Sequence, residues 1–122
     1  MNQIALVTGA GRGVGQVTAI TLAQKGWTVV AAGRDKQAVD AVAKQAGGQS
    51  VGMVCDVSDL ASVTELFKAI KDKFGRLDLL FNNAGVVAPG VALEELELKD
   101  WRNVVDVNIS GVFYCTQQAF AL

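Results

Sequence analysis

Short runs of β-branched and other apolar residues alternate with longer stretches in which apolar positions recur every three or four residues. Ile4 to Thr8 reads as a buried strand, followed by a glycine-rich turn and a helix to about Lys25. Val17, Ile20 and Leu22, with the alanines between them, supply that helix with an apolar face, and Gly26 ends it. Thr28 to Ala32 is a second strand. Lys36 to Ala46 carries Val39, Val42, Ala43 and Ala46 at helical spacing before the Gly47–Gly48 terminator. Val51 to Val54 is a third strand, and Val63, Leu66, Phe67, Ile70 and Phe74 form a helical stripe closed by Gly75. Leu77 to Phe81 is a fourth strand, and a loop with the only proline, Pro89, follows. From Leu98 onward the pattern predicts helix, in two segments broken near Asn108.

The strands are solid apolar runs, which is how a parallel sheet covered on both faces is written. Right-handed crossovers then predict an α/β, doubly wound fold of the Rossmann type with strand order 3-2-1-4. Ligands of such a sheet bind at the carboxyl ends of its strands. Strand 4 is expected to lie at an unpaired edge.

Composition narrows the function. With 122 residues, 51% of them hydrophobic, there is enough apolar surface for one packed domain. The net charge of -1, with no cluster of Lys and Arg, argues against nucleic acid as a partner. No apolar stretch approaches the ~18 residues of a membrane span and no charged-then-apolar leader is visible, so no membrane partner and a cytoplasmic location are expected. Cys55 and Cys115 are expected to be free, buried thiols. The absence of histidine removes imidazole acid–base chemistry and most zinc sites, and no metal is expected.

The turn after the first strand carries the chemistry. A strand-to-helix turn aims main-chain N–H groups and the helix dipole at whatever lies above it, which suits a diphosphate. The spacing GxGxxG does not fit, because Val14 or Gln16 stands where the last glycine belongs. Thr8, Gly9, Gly13 and Gly15 instead spell TGxxxGxG. A Walker A loop is excluded, since no Gly-Lys-Ser/Thr follows. Gly9, Gly11 and Gly13 also spell the GxGxG of S-adenosylmethionine methyltransferases, but the first strand lacks the acidic end residue those enzymes carry.

"TGAGRGVG" at Thr8–Gly15, "CDV" at Cys55–Val57, "NNAG" at Asn82–Gly85 and "VNISG" at Val107–Gly111 together resemble the short-chain dehydrogenase/reductase family. The resemblance runs the length of the chain but covers only the first half of the family's usual domain. It implies that Gly9, Gly11, Gly13 and Gly15 shape the diphosphate turn, with Arg12 and Val14 lining the cofactor. It implies that Asp56 bonds the adenine amino group beside the Val57 main chain; the competing reading makes Asp56 a cap for the next helix, a task Ser58 or Asp59 could also do. Asn83, Ala84 and Gly85 would approach the adenosine ribose. Asn108 occupies the position that holds a water in the family's proton relay, or else satisfies local main chain at a helix break.

The second strand ends "AAGRD", and in this fold the residue there meets the adenosine 2′ position. Gly33 takes that place here, followed by Arg34, and Arg12 can reach the same point from the glycine turn. Two guanidinium groups suit a 2′-phosphate, so NADP is expected over NAD. Asp35 would signal NAD if the strand ended two residues later; we read it as the N-cap of the helix from Lys36.

The family's chemistry needs a serine and a Tyr-x-x-x-Lys pair, in which the lysine lowers the tyrosine pKa. The only tyrosine, Tyr114, is followed four residues on by Gln118, and is read as core or interface. The chain reaches Leu122 inside a helical stretch without a stop signal, so it is expected to be the amino-terminal portion of a longer enzyme. The expected whole is an NADP-dependent oxidoreductase of carbonyl or alcohol substrates, a homo-oligomer, with this portion inactive alone. A non-catalytic NADP-binding module is the alternative.

Overall fold

The computed structural model describes residues 2–122. Four strands, β1 (Ile4–Thr8), β2 (Thr28–Gly33), β3 (Val51–Val54) and β4 (Leu79–Phe81), alternate with helices α1 (Gly13–Gln24), α2 (Lys36–Ala46) and α3 (Leu60–Phe74). A 3-10 turn at Leu93–Glu95 then leads into α4 (Leu98–Val105), a π-helical segment at Asp106–Ser110, and α5 (Gly111–Ala121). All pairings are parallel, in the order β3-β2-β1-β4, as the solid apolar runs predict.

Alternate residues of the central strands feed two separate cores. Ile4 and Leu6 of β1 join Val30 and Ala32 of β2 on the face covered by α3 and α5, where Val63, Leu66, Phe67, Ile70 and Cys115 are buried. Val7, Val29 and Ala31 point the other way, into a cluster with Ala19 of α1 and Val39 and Val42 of α2. A parallel sheet with helices on both faces is therefore doubly wound, and each fully buried Leu or Val contributes about 1.5–3 kcal/mol. The edge strands are only partly covered, and Val54 at the end of β3 is 54% exposed.

Three expectations are corrected. Val17 is 64% exposed and α1 buries Gly15 and Ala19 instead, because its small residues let the helix lie close to the sheet. Strand β4 begins at Leu79, since Asp78 is held at the strand mouth by the main-chain N–H of Ile4 and by the guanidinium of Arg76. The helix does not break at Asn108: the chain keeps helical dihedrals at Val105, Asp106, Ser110 and Gly111 and absorbs the disturbance as a π segment. Gly111, the first residue of α5, has no room for a side chain, since a Cβ there would stand 2.7 Å from Cγ2 of Val57.

The register fixes where a ligand can sit. Thr8 pairs with Ala32, Gly33 with Val54, and Val7 with Phe81, so the carboxyl ends of the four strands share one rim. The glycine turn, Arg34, Asp56 and Asn82–Gly85 each leave a strand at that rim.

Candidate functional site

A cleft of about 690 Å³ opens along the rim. Gly9, Gly11, Arg12, Gly13, Val14, Arg34, Asp56, Val57, Asn83, Ala84 and Gly85 all line it, so the structure gathers residues from the carboxyl ends of all four strands. Gly33, Asp35, Ala38, Val39, Val86 and Val107 complete the lining. Of these added residues, Gly33 and Asp35 flank Arg34 and were legible as neighbours of the strand end. The others are apolar wall residues with no chemical signal of their own. Gly15 and Asn108, also expected at the site, do not line the cleft.

The glycine turn leaves its space open. Gly13 has φ +59°, in the left-handed region, and a Cβ there would meet nothing within 4 Å. Arg12 occupies the N-cap of α1 with extended dihedrals, and no side chain caps the helix. The first-turn N–H groups and the positive end of the helix dipole thus face the cleft without a built-in anion. Gly15 serves packing: a Cβ there would collide with the carbonyl oxygen of Gly9 and stand 2.6 Å from Nδ2 of Asn83.

Thr8, buried at the end of β1, ties the turn to the loop after β4. Its Oγ1 accepts the N–H groups of Asn83 and Ala84, each at 3.0 Å, and donates to the carbonyl of Phe81 at 3.4 Å. The Asn83 side chain returns the contact, its Nδ2 donating to the Gly9 carbonyl at 3.2 Å. Asn82 is directed away from the cleft and donates to Oγ1 of Thr116 at 3.1 Å.

At the end of β3, Oδ1 of Asp56 accepts from the N–H of Ser58 at 3.0 Å and from its hydroxyl at 2.7 Å. Asp59, not Asp56, caps α3 through the N–H of Ala61. Asp35 caps α2 by accepting from Ala38 N–H at 3.2 Å. Arg12 and Arg34 line the cleft, and neither side chain forms a hydrogen bond or salt bridge to any described residue. The Asn108 amide clasps the loop after the NNAG stretch, accepting from Val86 N–H at 2.9 Å and donating to its carbonyl at 2.8 Å.

Elsewhere the chemistry is quiet. Burial raises the Cys55 thiol pKa and pushes that of Cys115 to about 12, with Cys55 adding to the latter, and both are free cysteines. Tyr114 packs against the core and meets Phe113 edge to face. Among the described residues no group of His, Cys, Asp and Glu could hold a metal ion, and no helix is long and apolar enough to cross a membrane.

Comparison with known proteins meets this geometry from outside. Residues 3–122 match the family model described as short chain dehydrogenase. The chain is 44% identical over 123 residues to a 3beta-hydroxysteroid dehydrogenase of Mediterraneibacter gnavus, covering 98% of this chain and 45% of that protein. It is 41% identical to a 3-oxoacyl-[acyl-carrier-protein] reductase of Synechocystis sp., covering 94% of this chain and 48% of the other. Among solved structures, a 3-ketoacyl-(acyl-carrier-protein) reductase from Brucella melitensis complexed with NADH superposes with a TM-score of 0.92 at 35% identity, over 95% of this chain and 48% of that one. A variant of actinorhodin polyketide ketoreductase with NADPH gives a TM-score of 0.91 at 34% identity, over 98% and 46%. The chain thus spans about half the length of the relatives it matches. A rim of four parallel strand ends, a TGxxxGxG turn locked by Thr8 to NNAG, and a family model matched over residues 3–122 agree: the chain belongs to the short chain dehydrogenase family.

Proposed function

We propose that this chain is the cofactor-binding half of an NADP-dependent oxidoreductase that moves a hydride between nicotinamide and a carbonyl or alcohol of a small-molecule substrate. The observation that carries the cofactor preference is at the end of β2. The nearest carboxylate, Asp35, is engaged in capping α2, while Arg34 and Arg12 face the cleft without a protein partner. A phosphate monoester on the ribose fits that arrangement, since guanidinium groups offer fixed, charge-assisted donors. Asp35 lies beyond Gly33 and Arg34 and orients its carboxylate at the first turn of α2, which favours the phosphate-bearing cofactor over NAD.

The other residues follow as parts of the same reading. The uncapped start of α1, with the open space above Gly13, would hold the diphosphate. Val14 would pack on the cofactor, Asp56 and the Val57 main chain would take adenine, and Asn83, Ala84 and Gly85 would bring main chain to the ribose. When bound, the cofactor would supply or accept the hydride. The Asn108 side chain is committed to Val86, so its first role in this reading is to hold the loop after Gly85 in place. The 122 residues hold no Tyr-x-x-x-Lys pair, so proton transfer must come from residues beyond this stretch. We place the whole protein in the cytoplasm as a homo-oligomer, joined through apolar side chains such as Trp101, Ile109 and Phe113 that α4, the π segment and α5 expose.

A second reading, a nucleotide-binding module without turnover, is favoured by that same missing pair. Following NADPH absorbance with a panel of ketones and aldehydes separates the two. The protein ending at Leu122 is expected to bind NADPH without steady turnover, because proton transfer alone supplies roughly 10²–10⁴-fold. A longer protein carrying this chain is expected to turn over, and failure to do so while binding NADPH supports the module.

A further inference from the structure

Asp56 is held more tightly than its place in the cleft requires. Ser58 gives both of its donors, main-chain N–H and hydroxyl, to one carboxylate oxygen, Oδ1. From behind, the Asp56 N–H donates to Oγ of Ser62 at 2.9 Å, pinning the end of β3 to the first turn of α3. Neither serine is needed as a helix cap, since Asp59 already accepts from Ala61 N–H.

A carboxylate offers about two lone-pair positions on each oxygen, and Ser58 fills both on Oδ1. Oδ2 keeps its positions and has no partner among the described residues. The terminal torsion of an aspartate is broad, so an untethered carboxylate would sweep its oxygens across the cleft. Two hydrogen bonds to the same oxygen remove that freedom.

We propose that Ser58 is a positioning residue for purine recognition: by holding Oδ1 it aims Oδ2 as a fixed acceptor that selects a 6-amino purine over a 6-oxo purine. This rests on the reading of Asp56 as the adenine contact. A 6-amino group donates to Oδ2. A 6-oxo group opposes its own lone pairs to those of the carboxylate, and its N1–H stands away from the amino position. Without the Ser58 hydroxyl only the Ser58 N–H holds Oδ1, the carboxylate turns more freely toward that N1–H, and discrimination falls.

The test is calorimetric titration of the protein with NADP and with its hypoxanthine analogue, nicotinamide hypoxanthine dinucleotide phosphate. The wild type is expected to prefer the adenine form by about tenfold, the scale of one charge-assisted hydrogen bond. Asp56→Ala is expected to bring the two dissociation constants together. Ser58→Ala is expected to reduce the preference to about threefold or less by weakening the adenine form selectively, whereas Ser58→Thr, which keeps the hydroxyl, retains it. Should Ser58→Ala fail to fold, Ser58→Gly removes the same hydroxyl and reads the same ratio. A wild-type ratio of one, or a ratio untouched by Asp56→Ala, overturns the adenine reading itself. A ratio that Asp56→Ala abolishes and Ser58→Ala preserves overturns the positioning role alone, and so does equal weakening of both cofactors by Ser58→Ala.

Discussion

Thr8 and Asn83 stand 75 residues apart in the chain, and Oγ1 of Thr8 accepts the main-chain N–H of Asn83 at 3.0 Å. The same hydroxyl accepts the N–H of Ala84, so one side chain orders the loop that forms the far wall of the cleft. Thr8→Val keeps the shape and the strand preference of the residue but removes the acceptor. Two N–H groups then lose their partner, and a loss of about 2–4 kcal/mol in urea-induced unfolding is expected. A change within about 0.5 kcal/mol would show that water replaces the hydroxyl and that the hub is dispensable.

The open space above Gly13 separates strain from function. A Cβ there meets no atom within 4 Å, so Gly13→Ala adds only the strain of a side chain at φ +59°. That strain is worth on the order of 1 kcal/mol, and the circular dichroism of the helices should be retained. NADPH affinity is expected to fall by about tenfold or more, because the methyl group enters the path of the diphosphate. Unchanged NADPH fluorescence titration by the folded variant would make the turn purely structural.

Acid stability should report on Asp78. Arg76 and the Ile4 N–H hold its carboxyl below the ordinary value of 3.8, the guanidinium hydrogen bonds contributing most. A depressed carboxylate stabilises the fold fully above its unfolded pKa, and that contribution drains as pH falls through the lower, folded value. Denaturant midpoints of the wild type and Asp78→Asn should therefore differ by a constant amount near neutrality and converge below about pH 3.8. A difference that widens on acidification would contradict the clamp between β1 and β4.

The elements that the hydrophobic periodicity marks are those whose burial is local and one-sided. Val39, Val42 and Ala43 of α2, and Val63, Leu66, Phe67 and Ile70 of α3, are buried as their spacing requires. The end of the second strand and the cap after it are also legible, since Gly33 closes β2 and Asp35 caps α2. Contacts between distant segments carry no periodic signal. Nothing near Thr8 in sequence announces that it serves Asn83, and nothing near Asn108 announces its clasp on Val86, 22 residues away. The helix around Asn108 reads as broken because asparagine and Gly111 disfavour helix interiors. The clasp and the fit of Gly111 against Val57 keep it continuous as a π segment. Small residues mislead in α1, where Gly15 and Ala19 face inward and the larger Val17 faces solvent.

The central claim is that a 2′-phosphate sits beside the end of β2, between Arg34 and Arg12. Titration of the wild type and Arg34→Ala with NADPH and with NADH tests it most directly. Losing one charge-assisted contact of about 1.5–3 kcal/mol predicts roughly 10- to 100-fold weaker NADPH binding by the variant, with NADH binding held within about twofold. Equal loss for both cofactors, or none for either, would contradict the claim and move the phosphate away from Arg34.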